Sequence, residues 1–480
     1  MLIVIAALIF ALNTQFNGAF KSARFETILY NLINMKSLNM TYNSFMAPIY
    51  EVFIAYIIIL FILLIPFIVN FFLKKELIIN IKDKKIKLFP FSIKIYGITL
   101  LIISITTILS SINFFGFLFN NLQYSNLYED YYVEYNKENV IFPDKKNNLI
   151  TIYVESFENS VFTLENGGTT KESYMPNMEK FTNKYVNFSN NEKIGGFYQV
   201  NGTDWTASSL VAQTAGIPIY FKTKNKENNF LEGAVSIGEI LKENGYKNYF
   251  LMGSDSNFAN RNSYFFEHGN YQIFDHSSAI NDRLIPANYF EWWGYEDRKL
   301  YEYAKDKLLN ANKNKEPFNF SILTADTHCY DGYTDNKCLK KFKSNYANSY
   351  YCTDSMLYDF ISWLQEQDFY DETVIVIVGD HLTMRDDFFN TYNEYERTVY
   401  NLFINSKATS INPKNTAFSA FDMYPTTLAA LGVKIDNERL ALGTNLFSNK
   451  NTLIEEMGLD KFQKEISKIS KYYDEKILKK

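Results

Sequence analysis

Residues 373–381 read TVIVIVGDH. Six β-branched residues in a row, with no polar alternation, predict a strand covered on both faces, as in the middle of a parallel sheet. The run ends at Gly379, and an acid and an imidazole, Asp380 and His381, follow at once. Working outward, 149–154 (LITIYV), 248–252 (NYFLM), 318–323 (FNFSIL) and 399–404 (VYNLFI) read as further strands. Helical patterns at 235–243, stopped by Gly245, and at 355–367 alternate with them. The order predicts an α/β domain over about 149–450, with a mainly parallel central sheet and helices on both faces. The charged tail 451–480 has helical spacing and is expected to lie on the surface.

Polar residues gather where these strands end. Glu155 closes LITIYV, and Asp326 and His328 follow FNFSIL. Open α/β sheets bind ligands outside the carboxyl ends of their strands. Glu, Asp and His gathered on that edge suit a divalent metal, although a carboxylate after a strand also serves as a helix cap. Two of the four histidines, 328 and 381, follow strand ends, and His268 and His276 read as structural. Residues 201–216 (NGTDWTASSLVAQTAG) place Thr203, Asp204 and Thr206 at the mouth of a short helix. A hydroxyl there meets free backbone N–H groups, which suits a nucleophile beside a phosphate and equally suits an N-cap.

With 48 Lys+Arg against 53 Asp+Glu, the net charge of −5 excludes an electrostatically driven nucleic-acid binder. Three cysteines are too few for a disulfide scaffold. The N-terminal quarter is of another kind. Residues 52–73 and 95–119 are uncharged runs of 22 and 25 residues, each long enough to span the bilayer core. Pro66 is expected to kink the first. Residues 1–20 form a third, weaker candidate, a poor signal peptide because it lacks a basic lead and a cleavage site. The chain is therefore expected to start late relative to its relatives. Lys74, Lys75, Lys82, Lys84, Lys85, Lys87 and Lys94 crowd the loop 74–94, against Lys21, Arg24 and Lys36 before it. The positive-inside rule assigns 74–94 to the cytoplasm and all that follows Phe119 to the outside, beginning with a stalk at 120–148.

The blocks ITIYVES, GTDWTASSLVAQTAGIPI, LTADTH and VIVIVGDHLTM, in this order after membrane spans, resemble the phosphoglycerol transferase I and lipoteichoic acid synthase-like family. That family lies in the sulfatase-like branch of the alkaline phosphatase superfamily. The resemblance covers roughly residues 20–450. It implies one bound divalent ion, Mn²⁺ before Zn²⁺ or Mg²⁺, held by Glu155, Thr206, Asp380 and His381, with Thr206 as nucleophile in preference to Thr203. It implies substrate contacts from His328 in DTH and from Arg261 in FANRNSYFFEHG, and a structural role for Asp422. The lipoteichoic acid branch carries a Trp where this chain has Ala259, so a headgroup contact differs there. The family also has a cysteine pair after its DTH block, which implies a disulfide between Cys338 and Cys352 in an oxidising compartment. Cys329 stands where relatives have a second His.

The reaction so implied moves glycerophosphate from phosphatidylglycerol, a membrane phospholipid, through a phospho-threonine to an extracytoplasmic glycan or polymer. The enzyme would sit in the cell membrane as a multi-pass protein. Phosphoethanolamine transferases share the Thr nucleophile, but the GTDWT block fits the phosphoglycerol group better. True sulfatases need a CxPxR-type motif, which is absent. A non-catalytic membrane sensor would not need the retained Glu155, Thr206, Asp380 and His381.

Overall fold

The structure is a computed structural model. It describes residues 1–19, 25–33, 42–73, 77–81, 84–89, 92–220, 223, 230–329, 331–385, 387–389 and 395–479. The chain forms two compact units. The first comprises Met1–Ile28 and Asn39–Phe119, the second Leu29–Leu38 and Asn120–Lys480.

In the first unit, α1 (Leu2–Ala19) packs against both α3 (Tyr42–Leu73) and α4 (Ile93–Ser111). Small residues let it do so: Ala6, Ala7 and Ala11 are fully buried, and a Cβ on Gly97 of α4 would stand 3.0 Å from Leu2 Cβ. Ile49–Phe72 and Ile93–Ser111 are long and apolar enough to cross a bilayer, and the apolar part of α1, Leu2–Thr14, is shorter. Their large side chains, among them Phe61, Phe72 and Ile95, point outward. The uncharged run 95–119 is not one helix. It stops at Ser111, Asn113 adopts φ 54°, and α5 (Phe114–Asn120) begins after the break. Between α3 and α4 lies an antiparallel pair, β1 (Leu77–Ile81) and β2 (Lys84–Phe89). Lys74, Lys75 and Lys82, part of the orientation argument, lie outside the described residues, as do Lys21, Arg24 and Lys36.

The second unit is built, among the described residues, on a seven-stranded sheet. In chain order its strands are β3 (Asn148–Val154), β4 (Gly196–Phe197), β5 (Lys247–Met252), β6 (Gln272–Phe274), β7 (Phe318–Leu323), β8 (Thr373–Gly379) and β9 (Val399–Ile404). Their spatial order is β4-β9-β8-β3-β7-β5-β6. The block β8-β3-β7-β5-β6 is parallel, and β9 and β4 add antiparallel pairings at one edge. The β-branched run behaves as its composition requires. Val374, Val376 and Val378 enter one apolar layer, while Ile375 and Ile377 enter the other. The first layer includes α6 (Thr206–Ala215) and α10 (Met423–Ala430). The second includes α8 (Asp297–Asn312) and α9 (Asn345–Gln365). With both faces covered, only the strand ends are free for chemistry.

Three segments differ from expectation. Residues 120–148 are folded onto the second unit: Leu127 and Tyr128 are buried, and Val140–Ile141 pair with Lys434–Ile435. The tail is not a single surface helix. Gly458, at φ 84°, separates Leu453–Met457 from α11 (Leu459–Ile466), and Phe462, Ile466, Tyr473 and Ile477 are buried. The helix expected from 355 starts ten residues earlier, at Asn345, where Ser344 Oγ accepts the Ala347 N–H. Cys352 therefore sits on α9, disulfide-bonded to Cys338.

Candidate active site

The parallel register of β3 and β8 aligns Val154 with Gly379. The next residues, Glu155 and Asp380, therefore emerge side by side although they are far apart in sequence. Both are buried, Asp380 completely. Ser156, at φ 54°, turns the chain so that its N–H donates to Asp380 Oδ1 (2.8 Å) and its hydroxyl to Glu155 Oε1 (2.8 Å). His381 N–H donates to the same Oδ1 (2.8 Å). Asp380 Oδ2 has no hydrogen-bond partner among the described residues.

Thr206 arrives from α6, and the docking of that helix explains its position. Ser209, one turn in, donates to the Asp380 carbonyl, and Gln213, a turn further, donates to the Gly379 carbonyl (3.1 Å). The helix N-terminus is thereby fixed against the end of β8, and Thr206 Oγ1 lies 3.4 Å from both Glu155 Oε2 and His381 Nε2. His381 Nδ1 is 2.8 Å from the Leu382 carbonyl. A carbonyl only accepts, so Nδ1 carries the hydrogen, and the lone pair of Nε2 faces Thr206, Glu155 Oε1 (3.5 Å) and Asp380 Oδ2 (3.3 Å). Thr203 is elsewhere: its hydroxyl donates to the Val200 carbonyl (2.8 Å).

The electrostatics call for a cation. Burial, with Glu155 adding to it, raises the Asp380 carboxyl to about 7. Burial pulls the His381 imidazolium down, but Asp380 and Glu155 outweigh it and the net shift is upward. The ligand atoms of Glu155, Asp380 and His381 all lie within 4.8 Å of one another. An unpartnered buried carboxylate oxygen, a second carboxylate and an imidazole lone pair form a donor set that a divalent ion fits.

The two expected substrate residues feel the charges of this cluster, Arg261 those of Glu155 and Asp380 and His328 that of His381. Arg261 opens α7 (Arg261–Glu267), and its guanidinium donates to Ser254 Oγ (3.1 Å) and to the Phe258 (3.1 Å) and Asp255 (2.8 Å) carbonyls. Burial lowers its pKa to about 10, opposed by Asp255, Glu155, Asp275 and Asp380. His328 Nδ1 faces the Cys329 carbonyl at 2.7 Å, which leaves Nε2 without the hydrogen when the ring is neutral. Burial lowers this imidazolium too, but Cys329 more than reverses it. His268 lies between Glu239 and the Phe230 carbonyl, and His276 against the Tyr289 carbonyl. Asp422 accepts the Ser419 and Thr444 N–H groups.

Several residues at this rim escaped the sequence. Tyr30, on α2 (Phe25–Ile33), packs its ring 4.9 Å from Trp205 and meets Asn260 (3.2 Å), the neighbours of Thr206 and Arg261. Asp326 is not part of the cluster; its Oδ1 accepts the Asp297 N–H (3.3 Å). Four non-glycine residues here, Ser156, Ala259, Asn260 and Trp292, have φ between 54° and 62°. For Ser156, Ala259 and Trp292 this backbone costs on the order of 1–3 kcal/mol each, whereas Asn260 is of a type that adopts it readily.

A family model described as Sulfatase matches residues 147–433, more than half of the chain. The chain belongs to the Sulfatase family. Within that frame it is 27% identical over 337 residues to phosphoglycerol transferase I of Shigella flexneri, covering 67% of this chain and 42% of that protein. It is 26% identical over 346 residues to phosphoglycerol transferase I of Escherichia coli (strain K12), covering 69% of this chain and 40% of that protein. The chain spans about two fifths of the length of these relatives. Among solved structures, lipoteichoic acid synthase LtaP from Listeria monocytogenes superposes with a TM-score of 0.52 at 19% identity, over 67% of this chain and 80% of that one. The shared fold is the alkaline phosphatase/sulfatase-like one implied by the sequence resemblance.

Proposed function

We propose that this protein is a membrane-anchored, metal-dependent phosphoglycerol transferase. It would take glycerophosphate from phosphatidylglycerol and deliver it, through a phospho-threonine, to an extracytoplasmic glycan or polymer. The observation that carries the reading is the Thr206 hydroxyl, held at a helix N-terminus 3.4 Å from both Glu155 and His381. Glu155, Thr206, Asp380 and His381 would hold one divalent ion, Mn²⁺, Zn²⁺ or Mg²⁺. Bound there, the ion would act as a Lewis acid toward the phosphoryl group and lower the pKa of the threonine hydroxyl.

The protein's own groups do the rest. Thr206 Oγ1 loses its proton to solvent and attacks phosphorus, forming the P–Oγ bond as the P–O bond to the glyceride breaks. His328, whose proton affinity is raised, gives a proton to the departing diacylglycerol oxygen. Arg261 offsets charge on the phosphoryl oxygens. An acceptor hydroxyl then attacks the same phosphorus, returns a proton to His328 and releases Thr206, which is reprotonated from solvent. The apolar spans Ile49–Phe72 and Ile93–Ser111 suit this reaction, because the donor does not leave the bilayer.

The test is release of diacylglycerol from labelled phosphatidylglycerol by the full chain in detergent, with phosphatidylethanolamine as the competing donor. Acid-quenched protein should carry glycerophosphate on the peptide containing Thr206, and Thr206→Ala should abolish both signals. Turnover that persists in Thr206→Ala, or a preference for phosphatidylethanolamine, would reject the corresponding part of the reading.

A further inference from the structure

Glu291 and Gly294 exchange both main-chain hydrogen bonds, at 2.7 and 3.0 Å, closing a two-residue hairpin with Trp292 and Trp293 at its tip. Trp292 has φ 56°, in a turn position that ordinarily selects Gly, Asn or Asp. One bulky indole is therefore held where the backbone disfavours it. The foot of the hairpin is fixed to the site's own rim: a Cβ on Gly294 would lie 2.0 Å from the carbonyl oxygen of Gly253, just past the end of β5.

The tip faces the chemistry. Trp293 lies 4.7 Å from the His328 ring and 6.0 Å from Phe258, and Phe258 underlies the Arg261 guanidinium at 5.5 Å. Phe258 and Trp293 thus link Arg261 and His328. Trp292 donates from Nε1 to the Ala325 carbonyl (2.9 Å) and stacks on Tyr333 at 6.4 Å. Both indoles are half-buried. The polar groups beside them are the exposed Glu291 and the Tyr333 hydroxyl, which donates to it (3.4 Å).

We propose that Trp292 and Trp293 form an acceptor subsite that stacks a neutral pyranose ring of a glycan. An aromatic face is electron-rich and attracts the weakly positive C–H face of a sugar, while Glu291 and Tyr333 can take its hydroxyls. A second anionic headgroup would meet Glu291 and be repelled. A ring stacked here brings a hydroxyl beside His328, which takes its proton as the new P–O bond forms and the bond to Thr206 breaks. This rests on the transferase reading and names the acceptor class for it.

The test uses full-length protein with phosphatidylglycerol, and cellotetraose and glycerol as acceptors with and without a sugar ring. Trp292→Gly removes the indole and relieves the turn, so loss of folding does not confound it, and Trp292→Asn, which the same turn position accepts, is the second variant. In both, KM for cellotetraose should rise at least tenfold, several times more than any change in kcat, in diacylglycerol release or in transfer to glycerol. Cellotetraose should also quench the intrinsic fluorescence of the wild type and not that of Trp292→Gly, a readout independent of turnover. Equal losses with both acceptors, a primary fall in diacylglycerol release, or an unmoved cellotetraose KM would each overturn the proposal. Failure of the wild type to release diacylglycerol would instead reject the transferase reading, and the fluorescence titration would still decide sugar binding.

Discussion

Two pairs of buried carboxylates stand at neighbouring strand ends, Glu155 with Asp380 and Asp297 with Asp326. Burial raises Asp380, and it raises both members of the second pair, each further disfavoured by a nearby negative charge. Acidity alone does not separate them. Their hydrogen bonds do. Asp297 accepts the N–H groups of Ala325 (2.8 Å) and Asp326 (2.9 Å), and Asp326 accepts the Asp297 N–H (3.3 Å), so each clasps the other's backbone. The Asp380 side leaves one oxygen unpartnered and gathers an imidazole and a hydroxyl around it. One pair locks the start of α8 to the loop that carries His328, and the other is shaped for an ion. A shifted carboxyl marks a functional site only where its donors are missing.

Asp380→Asn is the largest blow to this comparison. The purified protein should lose its bound metal by elemental analysis, and diacylglycerol release should fall on the order of a thousandfold. Its metal-stripped form should melt no lower than the stripped wild type, since a buried charge has gone. Retained metal at wild-type level would erase the distinction between the pairs.

Opening the disulfide probes the other side. Cys338 follows Asp335, which grips Arg298 beside Asp297. Cys352→Ser should cost about 3 kcal/mol for a loop of this length, read as a lowered unfolding midpoint, with metal content kept. Asp297→Asn should cost about 1–3 kcal/mol, because one backbone N–H loses its acceptor, and should also keep the metal.

The pH profile sharpens the contrast most finely. Asp297 and Asp326 are both raised in the folded state, so it holds protons that the unfolded chain gives up. Their contribution to stability is complete below the ordinary carboxylate range and is lost as pH rises through the raised values. Melting temperature should therefore drift down from about pH 4 toward neutrality, and Asp297→Asn should flatten that drift. An equal slope in the variant would place the proton elsewhere.

What the sequence disclosed follows from which forces are local. TVIVIV announces its burial because both faces are apolar, and Glu155, Asp380 and His381 follow their strands without interruption. The polar start of α9 hid because Tyr346 and Tyr350 bury aromatic rings while their neighbours read as loop. The Trp292–Trp293 hairpin hid for the opposite reason: no composition rule places tryptophan in a left-handed turn. Asp297 looks like any residue opening a helix, and only the partner's backbone reveals its role.

Ser209 and Gln213 bind α6 to the carbonyls of the strand that ends in Asp380. Hydroxyl and carboxylate therefore travel as a single piece. Motion elsewhere in the site would leave the spacing between them constant.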